Sequence, residues 1–132
     1  MDDEEDEMTK KEWTRFFPYF TPDECGKGML QTFMLKVLML RKALDTPMHI
    51  TAGYCKSGHA KNSYHYKGRA LDFFTKLSPR KVMRIIDRFG LFGGVGHYFW
   101  WYHRGFHIDD RGNGKYQRWV SPKKGRYIYL LS

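Results

Sequence analysis

The chain has only two cysteines among its 132 residues, Cys25 and Cys55, and no C-x-x-C pair. A disulfide framework is therefore excluded, two unbridged thiols suit a reducing compartment, and a thiolate metal cluster gets little support. Long apolar runs are also missing: the most apolar stretch, residues 29–40, is broken by Lys36 and falls short of a membrane span. The N-terminus is acidic where a secretory leader needs a basic region, so the expectation is a chain without a signal peptide, cytoplasmic at synthesis. No glutamate follows Glu24, so a carboxylate acting in the body of the protein must be an aspartate. There is no internal repeat.

What is present is aromatic and basic. Apolar residues make up 42% of the chain and aromatics 17%, a composition that buries a core within one domain. Six of the 14 acidic residues occupy positions 2–7, leaving 8 to set against 23 lysines and arginines. Residues 1–11 read as a like-charged, disordered tail and residues 12–132 as the folded domain. So basic a body calls for an anionic partner, for which nucleic acid and an anionic cell wall both qualify.

Local signals divide the domain into elements. Trp13, Phe16, Phe17, Tyr19 and Phe20 form a cluster that packs on the domain, and Thr21-Pro22-Asp23-Glu24 is a capping box starting a helical turn. Leu30, Phe33, Met34, Val37 and Leu38 follow the spacing of one helical face, which predicts the main core helix over residues 29–44, stopped by Thr46-Pro47. Residues 48–52 alternate as a strand, and 53–62 form a polar loop. Ser78-Pro79 caps a second helix, with Val82, Ile85, Ile86 and Phe89 inward and Gly90 as its stop. Strands are predicted at 70–74, 93–98, 105–109, 116–120 and 127–131, with Arg111-Gly112-Asn113-Gly114 as a turn and glycines in 93–96 that allow close approach of another chain or a substrate. Helices early and strands late favour an α+β fold, an antiparallel sheet with helices packed on one side.

The chemistry centres on Ser63-Tyr64-His65-Tyr66-Lys67-Gly68-Arg69-Ala70-Leu71-Asp72 and on Gly105-Phe106-His107-Ile108-Asp109. Two neutral imidazoles, His65 and His107, with the carboxylate of Asp72 make a three-ligand zinc site whose fourth position is open, and the net charge left on the metal activates water. Alternation places Asp109 on the same strand face as His107, where it either takes the water's proton or orients His107. His103 and His97 are the rival bases. Ser63 lacks a nucleophile elbow and reads as a hydrogen-bonding loop residue. Cys55, beside Lys56, is a minor candidate nucleophile.

The pattern Ser63-x-His65-x-x-Gly68-x-Ala70-x-Asp72, then Gly93-Gly94-Val95-Gly96-x-Tyr98 and Gly105-Phe106-His107-Ile108-Asp109, resembles the zinc D-alanyl-D-alanine carboxypeptidase family. That family shares its fold with D-Ala-D-Ala dipeptidases, phage L-alanyl-D-glutamate endolysins and the hedgehog signalling domain. Phe20 to Glu24, Ile50-Thr51-Ala52-Gly53-Tyr54, Arg111-Gly112 and Arg118-Trp119 extend the likeness over about residues 16–120. The resemblance implies one catalytic zinc on His65, Asp72 and His107, and hydrolysis of an amide in the peptidoglycan stem by zinc-activated water, as D,D-carboxypeptidase or endopeptidase.

Two departures stand out. Where several branches carry an acid three positions before the last histidine, this chain has Arg104. Where the family carries Gly-Tyr-Arg, it has Gly53-Tyr54-Cys55-Lys56, so Lys56, Arg69 or Arg104 must take over the contact with a substrate carboxylate. The expected setting is a monomer acting on cell wall after release in phage or prophage lysis, held by anionic wall polymers. The basic, aromatic stretch Trp100-Trp101-Tyr102 suits the wall of a peptidoglycan groove, and nucleic acid is the weaker partner. The alternative is a zinc-binding module without catalysis that binds cell wall or a protein.

Overall fold

The computed structural model describes residues 7–112 and 114–131. A reciprocal capping box between Thr9 and Glu12 opens α1 (Lys10–Trp13), which continues into a 3-10 turn (Thr14–Phe16). The hydroxyl of Thr21 then accepts from the Glu24 N–H and, with Pro22 at the first position, starts α2 (Pro22–Cys25). Trp13, Phe16 and Phe20 are buried, whereas Phe17 and Tyr19 stay exposed. The acidic tail expected over 1–11 lies outside the described residues at 1–6. Met8 is buried and Lys10 and Lys11 sit in α1, so the boundary expected at residue 12 falls inside this helix.

The core helix is α3 (Gln31–Leu44), which buries Phe33, Met34, Val37, Leu40 and Leu44, and Asp45 closes it in the left-handed conformation. Helix α4 (Pro79–Phe89) is capped by Ser78, ends at Gly90 and turns Val82 and Ile86 inward. Phe89, expected inside, is 45% exposed, because the last helical residue has run past the buried cluster. No helix among the described residues is long and apolar enough to cross a membrane.

Six strands, β1 (His49–Ala52), β2 (Ala70–Phe74), β3 (Gly94–Tyr98), β4 (Gly105–Asp109), β5 (Gln117–Lys123) and β6 (Arg126–Leu131), form one sheet in the order β1-β2-β4-β3-β5-β6. The α+β class holds, with one departure from an antiparallel sheet: β5 runs parallel to β3. The cause lies in the register. β4 already has β2 and β3 on its two edges and finishes with Asp109 beside Gly94, while β5 starts with Gln117 beside the same Gly94. The link from β4 to β5 therefore only has to step over the start of β3. Of the turn expected there, Asn113 lies outside the described residues.

Alternation then sorts the two faces. Leu71, Phe73, Val95, Phe106 and Ile108 join Phe33, Met34 and Val37 of α3 and Val82 and Ile86 of α4 in the core. On the opposite face one cross-strand row runs Ala52, Asp72, His107, Gly96, Trp119, Tyr129, and the next runs Ala70, Asp109, Gly94, Gln117. Lys36 of α3 pairs with Asp110 at 2.9 Å, fastening the helix to the end of β4. Arg118, 1% exposed on the core side, donates from Nε to Asp87 of α4 at 2.9 Å.

Candidate metal centre

His65 sits in a 3-10 turn, Tyr64–Lys67, between two local stops. The Ser63 hydroxyl accepts the His65 backbone N–H at 3.1 Å, the loop role expected of Ser63, and Gly68 closes the turn at φ 68°. The His65 ring is buried, and its Nδ1 lies 2.8 Å from the carbonyl oxygen of Gly53. A carbonyl only accepts, so Nδ1 donates to it, and Nε2 is the nitrogen that faces the carboxylate, 3.2 Å from Asp72 Oδ1.

His107 and Asp72 face each other across β2 and β4, with His107 Nδ1 2.9 Å from Asp72 Oδ1. The other ring nitrogen, Nε2, is 2.7 Å from Asp109 Oδ2. Asp109 in turn is gripped by Arg111, whose Nε donates to Oδ1 at 2.8 Å and Nη2 to Oδ2 at 2.7 Å. Each imidazole is thus held from behind, by Gly53 or by Asp109, and turns its other nitrogen toward Asp72. One ligand atom from each of His65, Asp72 and His107 lies within 4.8 Å of the others, a set able to hold a metal ion. The backing hydrogen bonds are those that orient histidine ligands.

Electrostatics match this arrangement. Burial alone would raise the Asp72 carboxyl, but hydrogen bonds from His107 and His65 outweigh it and hold the group at about 2. Burial would lower His107, yet hydrogen bonds to Asp109 and Asp72 prevail and raise it to about 9. Asp109, despite burial, is held well below the usual carboxylate range by its hydrogen bonds from Arg111 and His107.

The glycines of β3 make room for this machinery. A Cβ on Gly96 would lie 2.3 Å from Trp119 Nε1, and one on Gly94 would lie 2.4 Å from Asp109 Oδ1. The close approach expected at 93–96 is therefore made by the fold's own side chains. Trp119, whose part in the site went unread in the sequence, leans on His107 with ring centroids 5.7 Å apart and donates from Nε1 to the Tyr98 hydroxyl at 3.0 Å.

Above His65, Asp72 and His107 opens a groove of about 510 Å³. His59 lines it from the loop, Ser63 from the start of the 3-10 turn, Tyr98 from the end of β3, Trp100 and Trp101 from the turn that follows, and Lys124 and Tyr127 from the β5–β6 hairpin. Tyr102, 96% exposed, stays outside. His59, another residue that sequence reasoning missed, stacks on His65 with centroids 4.1 Å apart and planes 15° apart. Cys55, His59 and His65 make a second group with ligand atoms within 4.8 Å of one another. No single-residue spacing signals either contact, since both depend on how the 53–62 loop folds over the sheet.

The remaining candidates lie elsewhere. Arg69 donates to the Asp110 carbonyl and lies over the Tyr64 ring, so it pins the end of β4 and does not line the groove. His103 is exposed and stacks on Phe74, 4.2 Å between centroids, outside the groove lining. His97 is buried on the core face, against Phe99 and Phe106, because it alternates with Gly96 and Tyr98; as a rival base it is on the wrong side of the sheet. Lys56 and Arg104 are exposed and do not line the groove. Both cysteines are free. No known protein-family model and no curated protein matches this chain.

Proposed function

We propose that this chain is a zinc metallopeptidase that hydrolyses an amide bond in the peptide stem of peptidoglycan, acting as a carboxypeptidase or an endopeptidase of the hedgehog and D-Ala-D-Ala peptidase type. The observation that supports it most is the convergence of His65, Asp72 and His107 at the floor of a groove, each imidazole backed by its own acceptor. Two nitrogens and one carboxylate oxygen fit zinc, and three protein ligands suit a catalytic rather than a structural site. When bound, zinc supplies the Lewis acid that activates water and polarises the scissile carbonyl.

The chain's own residues do the rest. Asp109, already committed to Arg111 and His107, holds the ring and leaves proton transfer to another group. Among the described residues, His59 is the imidazole lining the groove beside the two proposed histidine ligands, and burial, the largest cause, lowers its pKa, so it is neutral and accepts a proton. Lys124, from the hairpin wall, is the cation available to a stem carboxylate, the role expected of Lys56, Arg69 or Arg104. Trp100, Trp101 and Tyr98 offer flat faces to the stem. Anionic wall polymers would hold the basic body, and release in phage or prophage lysis would bring it to its substrate.

One observation favours the second reading, a zinc-binding module without catalysis that holds cell wall or a protein partner. Asp72 is the only carboxylate lining the groove among the described residues, and it is committed to both histidines. Mass spectrometry of defined muropeptides, incubated with zinc-loaded protein with and without a chelator, separates the two. Chelator-sensitive loss of a terminal D-alanine or an internal stem cut supports the peptidase. Stoichiometric zinc with every stem intact overturns it in favour of the module.

A further inference from the structure

We propose that the chain has a second, thiolate-bearing metal seat made of Cys55, His59 and His65, which competes with the His65, Asp72 and His107 seat for a single ion. Its ligand atoms lie within 4.8 Å of one another, with one sulfur and two nitrogens where the other seat has two nitrogens and an oxygen. His59 is already stacked on His65 at 4.1 Å and lines the mouth of the groove. Cys55 is half-buried, and its thiol donates to the Gly53 carbonyl at 3.4 Å, the same oxygen that takes the His65 Nδ1 proton at 2.8 Å.

That shared carbonyl makes the two seats exclusive. With Nδ1–H spent on Gly53, His65 has one lone pair, at Nε2, and can give it to one ion. Ligation by Cys55 releases the thiol proton to solvent and the Gly53 contact with it. Thiolate selects soft ions such as cadmium or cuprous copper, whereas the carboxylate seat suits zinc. A thiolate also donates more electron density to the metal than a carboxylate of the same charge, in a set that includes His59, the groove's own proton acceptor. A soft ion in this seat therefore withdraws both His65 and His59 from hydrolysis.

Cadmium titration followed by thiolate-to-metal charge-transfer absorption tests this on the full chain, with Cys55→Ser and Asp72→Ala alongside. The expected result is a band that saturates at one equivalent, persists in Asp72→Ala, disappears in Cys55→Ser and fades as zinc is added. Absence of the band in the unaltered protein, its persistence in Cys55→Ser, or saturation at two equivalents would overturn the proposal; Cys25, buried with its thiol pushed up to about 12, is the only other sulfur that could give a band of this kind. Zinc binding by Cys55→Ser, measured separately, reports on the His65, Asp72 and His107 seat alone, so failure of either seat is seen independently of the other.

Discussion

Asp109 decides what His107 can do. Its carboxylate is claimed on one side by the Arg111 guanidinium and on the other by His107 Nε2, which leaves Nδ1 as the nitrogen available to a metal. Asp109→Ala should therefore weaken zinc affinity on the order of 10–100-fold, and saturating zinc should restore most of the turnover. Chelator competition and muropeptide hydrolysis at rising zinc check this; a rate that stays low at full occupancy would make Asp109 the base instead. His65→Ala should abolish metal binding and hydrolysis together. In chelated protein, His107, raised from 6.5 to about 9, contributes stability present below about 6.5 and lost as the pH rises through 9. Asp72, lowered from 3.8 to about 2, contributes stability present above 3.8 and lost as the pH falls through 2. Melting curves without metal should peak between those limits, while the added stability from zinc grows as the pH climbs toward 9 and the competing proton leaves. His65, Asp72 and His107 were legible because strand alternation and a glycine-closed turn fix them locally. His59 was not, since a stacking contact made by an irregular loop leaves no periodic trace.

At the scale of elements, the sheet carries the site because two of its rows are kept partly empty. Gly96 lies between His107 and Trp119 across the strands, and the indole fills the space above it. Gly96→Ala should push that rigid ring off His107, costing about 1–3 kcal/mol as overpacking does, with a lower melting temperature and a shifted tryptophan emission. An unchanged melt would mean that the indole has room to move. The helices α3 and α4 were readable from apolar spacing and caps, and the strands from alternation. The parallel β3–β5 pair was not, because which edge a strand joins depends on partners far along the chain and not on its own residues.

For the molecule as a whole, one row of positive charge lies on the helix side of the sheet, away from the groove. Arg80, Arg84 and Arg88 repeat at one-turn spacing on the exposed side of α4, with Lys81 beside them, while Val82 and Ile86 of the same helix enter the core. A polyanion bound there would leave the groove uncovered. Replacing Arg80, Arg84 and Arg88 together by Gln should reduce retention on an anionic wall polymer and flatten its salt dependence without changing zinc content, as pull-down at graded ionic strength would show. Retention equal to that of the unaltered protein would place the anchoring charge elsewhere.

The parallel strand also has a consequence in time. His65, Asp72 and His107 all precede residue 117, but Trp119, Lys124 and Tyr127 follow it. During synthesis β2 and β4 can bring these three side chains together before the β5–β6 hairpin has emerged. The growing chain would thus assemble the candidate metal site and most of its groove first, and the cationic, aromatic side made by Lys124 and Tyr127 would close on it last.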